Sequence, residues 1–172
     1  MVVSATHQPV IEVRRIRASE WQELRSLRLE ALLDSPLSYG STHEREAERP
    51  DGDWLERATA GAAGEEEVAF VAIARVRWIG MARGRLELPL AHLIGVYVTP
   101  GWRRLGVGDA VSREVVAWGR ERGAGAMLLS VSDWNDGARK VYESIGFVGT
   151  GKQQPLPSHP LVTEFEMRLE LD

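Results

Sequence analysis

The sequence predicts an α/β fold built on one mixed sheet with helices on both sides, and three observations carry that expectation. Strand-like and helix-like stretches follow one another in the order β-α-α-β-β-β-α-β-α-β-β, too mixed for an all-helical or all-strand domain. The stretch Leu93 to Gly119 changes period halfway, from a β-branched apolar run to apolar residues at Val107, Val111, Val115 and Trp118, which is helical spacing. Val162 to Leu171 alternates apolar and polar residues, the mark of a half-buried strand.

The elements can be justified in order. Pro9 to Arg17 alternates and predicts a first strand. Ser19-Glu20-Trp21-Gln22 has the form of a capping box; the helix after it carries Trp21, Leu24, Leu27, Ala31 and Leu32 and stops near Asp34-Ser35-Pro36. A loop over Leu37 to Thr42 precedes an acidic helical stretch, His43 to Ala60, and a turn over Gly61 to Glu67. Val68 to Ala74 is a strand, and Ile79 to Leu86 a weaker one that Gly80 and Gly84 interrupt. Leu93 to Val98 reads as a buried strand. Thr99-Pro100-Gly101 stops it, and the Val107 helix follows until Arg122-Gly123-Ala124-Gly125. Ala126 to Val131 is a buried strand, and Asn135 caps a short helix that Gly146 ends. Phe147-Val148-Gly149 opens a strand, Pro155, Pro157 and Pro160 predict a long loop, and the alternating strand closes the chain.

Composition narrows the classes. The 172 residues suit a single domain over 1–172 with a proper core, residues 1–8 being expected to be flexible. No apolar run approaches the ~20 residues that cross a bilayer, and Met1 to Pro9 lacks the order of a secretion signal. A cytoplasmic protein without a membrane partner is expected. Cysteine is absent, which removes disulfides, thiolate metal sites and a cysteine nucleophile; no metal site is expected. The net charge of −4 argues against nucleic acid as a partner.

Against that acidic background Arg103 and Arg104 stand beside Gly106 and Gly108, where a strand ends and a helix begins. Such a helix start leaves four N–H groups unpaired at the positive end of its dipole, and it binds anions. A diphosphate is the simplest ligand. No Gly-Lys-Ser/Thr follows, so the loop is not a P-loop. A dinucleotide fingerprint remains open: Gly106-x-Gly108 follows a strand, and Asp133 lies after the next one. Against it, Val111 takes the third glycine position and Thr99 to Arg104 lengthens the turn. A plain turn with surface arginines also fits.

Two motifs bear on the choice. Val98-Thr99-Pro100-Gly101-Trp102-Arg103-Arg104-Leu105-Gly106-Val107-Gly108 and the set Asn135, Ala138, Tyr142, Gly146 and Phe147 both resemble signatures of the GCN5-related N-acetyltransferase (GNAT) family, in the family's order and spacing. The resemblance implies a mostly antiparallel mixed sheet that splits between its fourth and fifth strands, with acetyl-coenzyme A entering the split. It implies that the backbone of Val96, Tyr97 and Val98 lies along the pantetheine arm. The amides of Arg104, Leu105, Gly106, Val107 and Gly108 would cradle the pyrophosphate, with Arg103 fixing the loop's opening. Asn135 would hydrogen-bond the arm, and Ala138 would leave it room. The partner implied is a small-molecule or peptide amine, and relatives often pair as homodimers. The loop Leu37 to Ser41 looks like one common in an unspecialised branch of the family.

The chemistry implied makes three demands. A lysine-like amine, with a pKa of ~10.4, is neutral about once in 10³ near pH 7, a cost of about 4 kcal/mol that a base or a dry pocket must offset. The oxyanion needs a donor, for which the family offers the backbone N–H of Val98. The departing thiolate needs a proton, and Tyr142 can give one.

The base is open. His92 opens the central strand where relatives often place a glutamate, and imidazole titrates close to neutrality; a histidine there is otherwise a surface residue. His43 is a weaker candidate, and His7 and His159 read as tail and loop residues. Glu44, Glu46 and Glu48 either draw a cationic amine or form a solvated helix face. Trp102 either covers the adenosine end or packs on the sheet. The readings carried forward are an acetyl-coenzyme A-dependent N-acetyltransferase, a non-catalytic acyl-coenzyme A-binding regulatory module, and a small nicotinamide-dependent oxidoreductase.

Overall fold

The structure, a computed structural model, describes residues 9–172, so the expectation for residues 1–8 lies outside it. Strand β1 (Ile11–Arg15) is followed by three helices, α1 (Trp21–Asp34), α2 (His43–Ala47) and α3 (Asp51–Ala63). A meander of β2 (Glu67–Ala74), β3 (Arg77–Glu87) and β4 (Leu90–Val98) follows. Helix α4 (Val107–Glu121), β5 (Ala126–Ser132), α5 (Asp136–Ile145) and the hairpin β6 (Val148–Leu156) and β7 (His159–Glu170) complete the chain. The strands form one sheet in the order β1-β2-β3-β4-β5-β7-β6, antiparallel except for the parallel pair β4 and β5.

Each face has its own core. Helices α4 and α5 pack with Val111, Val115, Trp118, Met127 and Phe147 on one side. Helices α1 and α3 cover the other side with Leu24, Leu27, Trp54 and Val71. Fully burying one such side chain stabilises by about 1.5–3 kcal/mol, so each helix is held by the stripe it buries.

Several expectations need correction. The glycines at 80 and 84 do not interrupt β3, which runs unbroken over Arg77–Glu87. They are where α4 approaches: a Cβ on Gly84 would lie 2.7 Å from Trp118, and one on Gly80 would lie 2.8 Å from Val107. The acidic stretch is two helices, because Pro50 cannot continue the first and instead opens the second. The second of them runs past Ala60 to Ala63 and ends on Gly64 in the left-handed conformation. The expected capping box shifts. Glu20 reaches back to the Arg17 N–H at 2.8 Å, so Glu20 caps the preceding turn and Gln22 takes no part.

The prolines near the C-terminus do not make a long loop. Pro155 lies in β6, an edge strand whose outer side needs no N–H. Leu156 already pairs with His159, so the connection is a tight hairpin.

Candidate active site

The central strands part early. β4 and β5 pair only at Leu90–Ala126, Ala91–Met127 and His92–Leu128, although both strands continue well beyond. Gly95 contributes to the departure. Met81 pairs with Tyr97 and Arg83 with Ile94, so Gly95 and Val96 together face Ala82 across a β-bulge. Gly95 has φ +62°, which only glycine adopts without strain. The bulge also reverses which side chains face which way. Leu93 packs on the α4 side, yet beyond the bulge Val96 and Val98 take that side and Tyr97 turns to the α1 side.

Backbone polarity follows from the same register. The Thr99 N–H donates to the Ile79 carbonyl at 2.9 Å, so hydrogen-bonded pairs alternate back through Met81 and Tyr97. Val96 and Val98 therefore turn their N–H and carbonyl groups away from β3, to the side β5 has left.

The result is a cleft of about 620 Å³, with His92, Val96, Ser130, Asn135 and Tyr142 among its lining. Beyond Val98 the chain makes a short turn, Pro100–Trp102, and α4 begins after Gly106 in the left-handed conformation at φ +80°. The first helical bond runs from the Ala110 N–H to the Gly106 carbonyl at 3.0 Å, and no side chain caps the helix. Its leading amides are thus unpaired, as an anion site needs.

The predicted residues fall as follows. Arg104, Leu105, Gly106, Val107 and Gly108 form that loop and helix start, with Arg104 itself at φ +62°. Arg103 is exposed but pinned: its Nε donates to the Val98 carbonyl at 2.9 Å and its Nη2 to Asp34 at 2.5 Å. It braces the loop against α1, and its guanidinium lies 5.8 Å from the Tyr97 ring. Asn135 caps α5, its Oδ1 accepting from the Ala138 N–H at 3.1 Å while its Nδ2 donates to Ser38 at 3.2 Å. Tyr142 is buried at 7 % exposure and stands edge-on to Phe147. Burial holds its phenol well above the usual tyrosine range.

His92 stands at the vertex, in the last pair before the strands part, with its Nε2 3.3 Å from Glu87. His43 begins α2, and the His159 ring contacts the Ser158 hydroxyl at 3.0 Å. Glu46 is on no solvated face. It is buried and accepts from Arg49 and Arg57, each at 2.9 Å. Trp102 packs on the core beneath α4.

Two residues of this cleft escaped sequence reasoning. Gly95 could have been found, since an isolated glycine inside a strand pattern signals a bulge. Tyr39 could not: only the fold brings it over the cleft, where its hydroxyl donates to the Val96 carbonyl at 2.8 Å.

The profile of the Acetyltransferase (GNAT) family matches residues 21–147. The chain belongs to this family. Among curated proteins, streptothricin acetyltransferase of Streptomyces lavendulae is 32% identical over 70% of this chain and 59% of its own length. Aminoglycoside N(6')-acetyltransferase type 1 of Salmonella typhimurium is 26% identical over 63% of this chain and 77% of its own. The alanine N-acetyltransferase of ribosomal protein bS18 from Escherichia coli is 29% identical over 55% and 64%. The chain thus spans less than two thirds of the first and third of these relatives.

Among solved structures, a GNAT acetyltransferase from Streptococcus pneumoniae superposes with a TM-score of 0.81 at 14% identity, covering 95% of this chain and 100% of its own. Salmonella typhimurium yncA, solved with its cofactor acetyl-CoA, gives 0.78 at 17% over 95% of each chain. At such identities the likeness establishes the fold alone.

Proposed function

We propose that this GNAT chain is an N-acetyltransferase that moves an acetyl group from acetyl-coenzyme A directly to a primary amine. One observation carries the reading: β4 and β5 separate after His92 and Leu128, and the freed amides of Val96 and Val98 face the gap. A strand edge of that kind binds an amide-bearing chain as a further strand would, and pantetheine is such a chain. The unpaired amides at the start of α4 suit a diphosphate at its other end. The α4 start follows the β4 edge after one short turn, Pro100–Trp102, and the residues present fit the cofactor.

Bound there, acetyl-coenzyme A would supply an acyl group activated as a thioester. The chain's residues do the rest. Val98 offers its N–H to the acyl oxygen as negative charge grows on it. Tyr142 stays protonated because burial disfavours the phenolate, and its hydroxyl gives a proton to the leaving sulfur. His92, at the vertex, receives the proton of the attacking amine directly or through one water, with Glu87 3.3 Å from its Nε2. Arg103 keeps the diphosphate loop in place through Val98 and Asp34. No covalent enzyme intermediate is needed.

The test pairs binding with turnover. Coenzyme A, and not NAD(H), should raise the melting temperature, and acetyl-coenzyme A with a panel of primary amines should release free thiol. Binding without thiol release on any amine leaves a regulatory acyl-coenzyme A-binding module; stabilisation by NAD(H) alone overturns the assignment.

A further inference from the structure

The face of the sheet that carries His92 holds a cluster of arginines that acetyl transfer does not use. Between α1, α3 and the bulged part of β4 lies a second cavity of about 80 Å³. Arg28, Arg57 and Arg83 line it, and it shares Arg28, Ile94 and Gly95 with the main cleft. Two of these guanidiniums are balanced. Arg57 donates to Glu46 at 2.9 Å and Arg83 to Glu67 at 3.0 Å.

Arg28 is different. Among the described residues it has no carboxylate partner, and its Nε and Nη1 are buried without a hydrogen bond. Its one clear contact is the Tyr39 ring, 4.8 Å from the guanidinium carbon. A buried guanidinium with unmet donors is costly, and a carboxylate that can take two parallel N–H bonds relieves it. Glu46 acts on Arg28 only through space and gives its hydrogen bonds to Arg49 and Arg57, so the buried donors of Arg28 are left without a carboxylate to bond. The opposite wall has the reverse sign, because Glu164 and Glu166 of β7 also line the cleft.

We propose that the acceptor is a small amino acid whose carboxylate docks on Arg28. Its amine then points towards Glu164 and Glu166, with the vertex at His92 between the two walls. This assignment rests on the acetyltransferase reading and narrows its substrate class. A polycationic amine would bring like charge against Arg28, Arg57 and Arg83, so it is disfavoured.

The experiment uses matched pairs: L-alanine, L-leucine, L-phenylalanine and L-glutamate, each beside its own carboxamide, with the full chain. The first readout is the melting temperature with coenzyme A present. The second is thiol release from acetyl-coenzyme A. At least one free amino acid should raise the melting temperature where its carboxamide does not. Its kcat/KM should exceed the carboxamide's by tenfold or more, the usual scale for a hydrogen-bonded charge.

Arg28→Gln should erase the difference, with R28K restoring part of it; retained stabilisation by coenzyme A reports that each variant is folded. If R28Q does not fold, the matched pairs on the unaltered protein decide alone. Equal response to acid and amide, response to neither, or a preference that survives R28Q overturns the proposal. Carboxylate-selective stabilisation without thiol release would leave the Arg28 site standing and sink acetyl transfer instead.

Discussion

The Tyr39 hydroxyl donates to the Val96 carbonyl at 2.8 Å, tying the loop after α1 to the strand edge that lines the cleft. The same loop touches the other wall, where Ser38 accepts from Asn135 at 3.2 Å. It also touches the C-terminal hairpin, where the Ser158 hydroxyl donates to the Tyr39 carbonyl at 2.5 Å. A segment with no motif of its own thus spans the mouth of the split. Burial holds the Tyr39 phenol well above its ordinary range, so it acts as a donor at any working pH.

Tyr39→Phe removes that one bond and little packing. We expect a loss of about 1 kcal/mol, read from the midpoint of urea unfolding. An unchanged midpoint would show that the loop does not lean on β4.

Tyr142→Phe keeps the ring that packs edge-on to Phe147 and deletes the proton. The prediction is a fall in kcat of about a hundredfold with coenzyme A affinity unchanged. Because the phenol's pKa is raised by burial, the loss should be the same from neutral to mildly alkaline pH. A rate equal to that of the unaltered enzyme clears Tyr142 of the acid role.

Gly106 has open space where a Cβ would go, so its requirement is conformational: φ is +80°. Gly106→Val forces a β-branched residue into the left-handed region, a strain of about 1–3 kcal/mol. The loop should abandon its geometry and coenzyme A should bind at least tenfold more weakly by calorimetry. Unchanged affinity would remove the α4 amides from the cofactor site.

Glu46 tests the acceptor side through pH. Burial raises its pKa, but Arg57, Ser41 and Arg28 more than offset this and hold it below the usual value. A depressed folded pKa contributes stability above the unfolded pKa of about 4.3. That contribution is lost as pH falls through the folded value. Glu46→Gln should therefore cost about 3 kcal/mol at neutral pH, and the gap should close below about pH 4. A gap independent of pH would mean that the charge of Glu46 is not what matters.

The sequence was most legible where one period dominated. Helix α4, with Val107, Val111, Val115 and Trp118 in a stripe, appears over Val107–Glu121 much as its spacing predicts. Asn135 and Gly146 bound α5 as expected because caps act locally. What failed was signal with two meanings. Proline marks loops, but at Pro155 it marks an edge strand; glycine weakens strands, but at Gly84 it admits a helix. The anion-binding helix start was legible in its motif, whereas Arg28 is one of two arginines on α1 and only tertiary packing sets it apart.

The bulge at Gly95 carries a consequence for how this strand tolerates change in length. Gly95 is the extra residue that sets the strand's two halves out of phase, so deleting it would restore plain alternation: Val96 would face Ala82 alone, and Val96, Tyr97 and Val98 would keep the walls they now have. A deletion at a position paired one-to-one, such as Leu93, would instead turn every side chain on one side of it to the opposite wall. The strand's length is therefore forgiving at the bulge and unforgiving elsewhere.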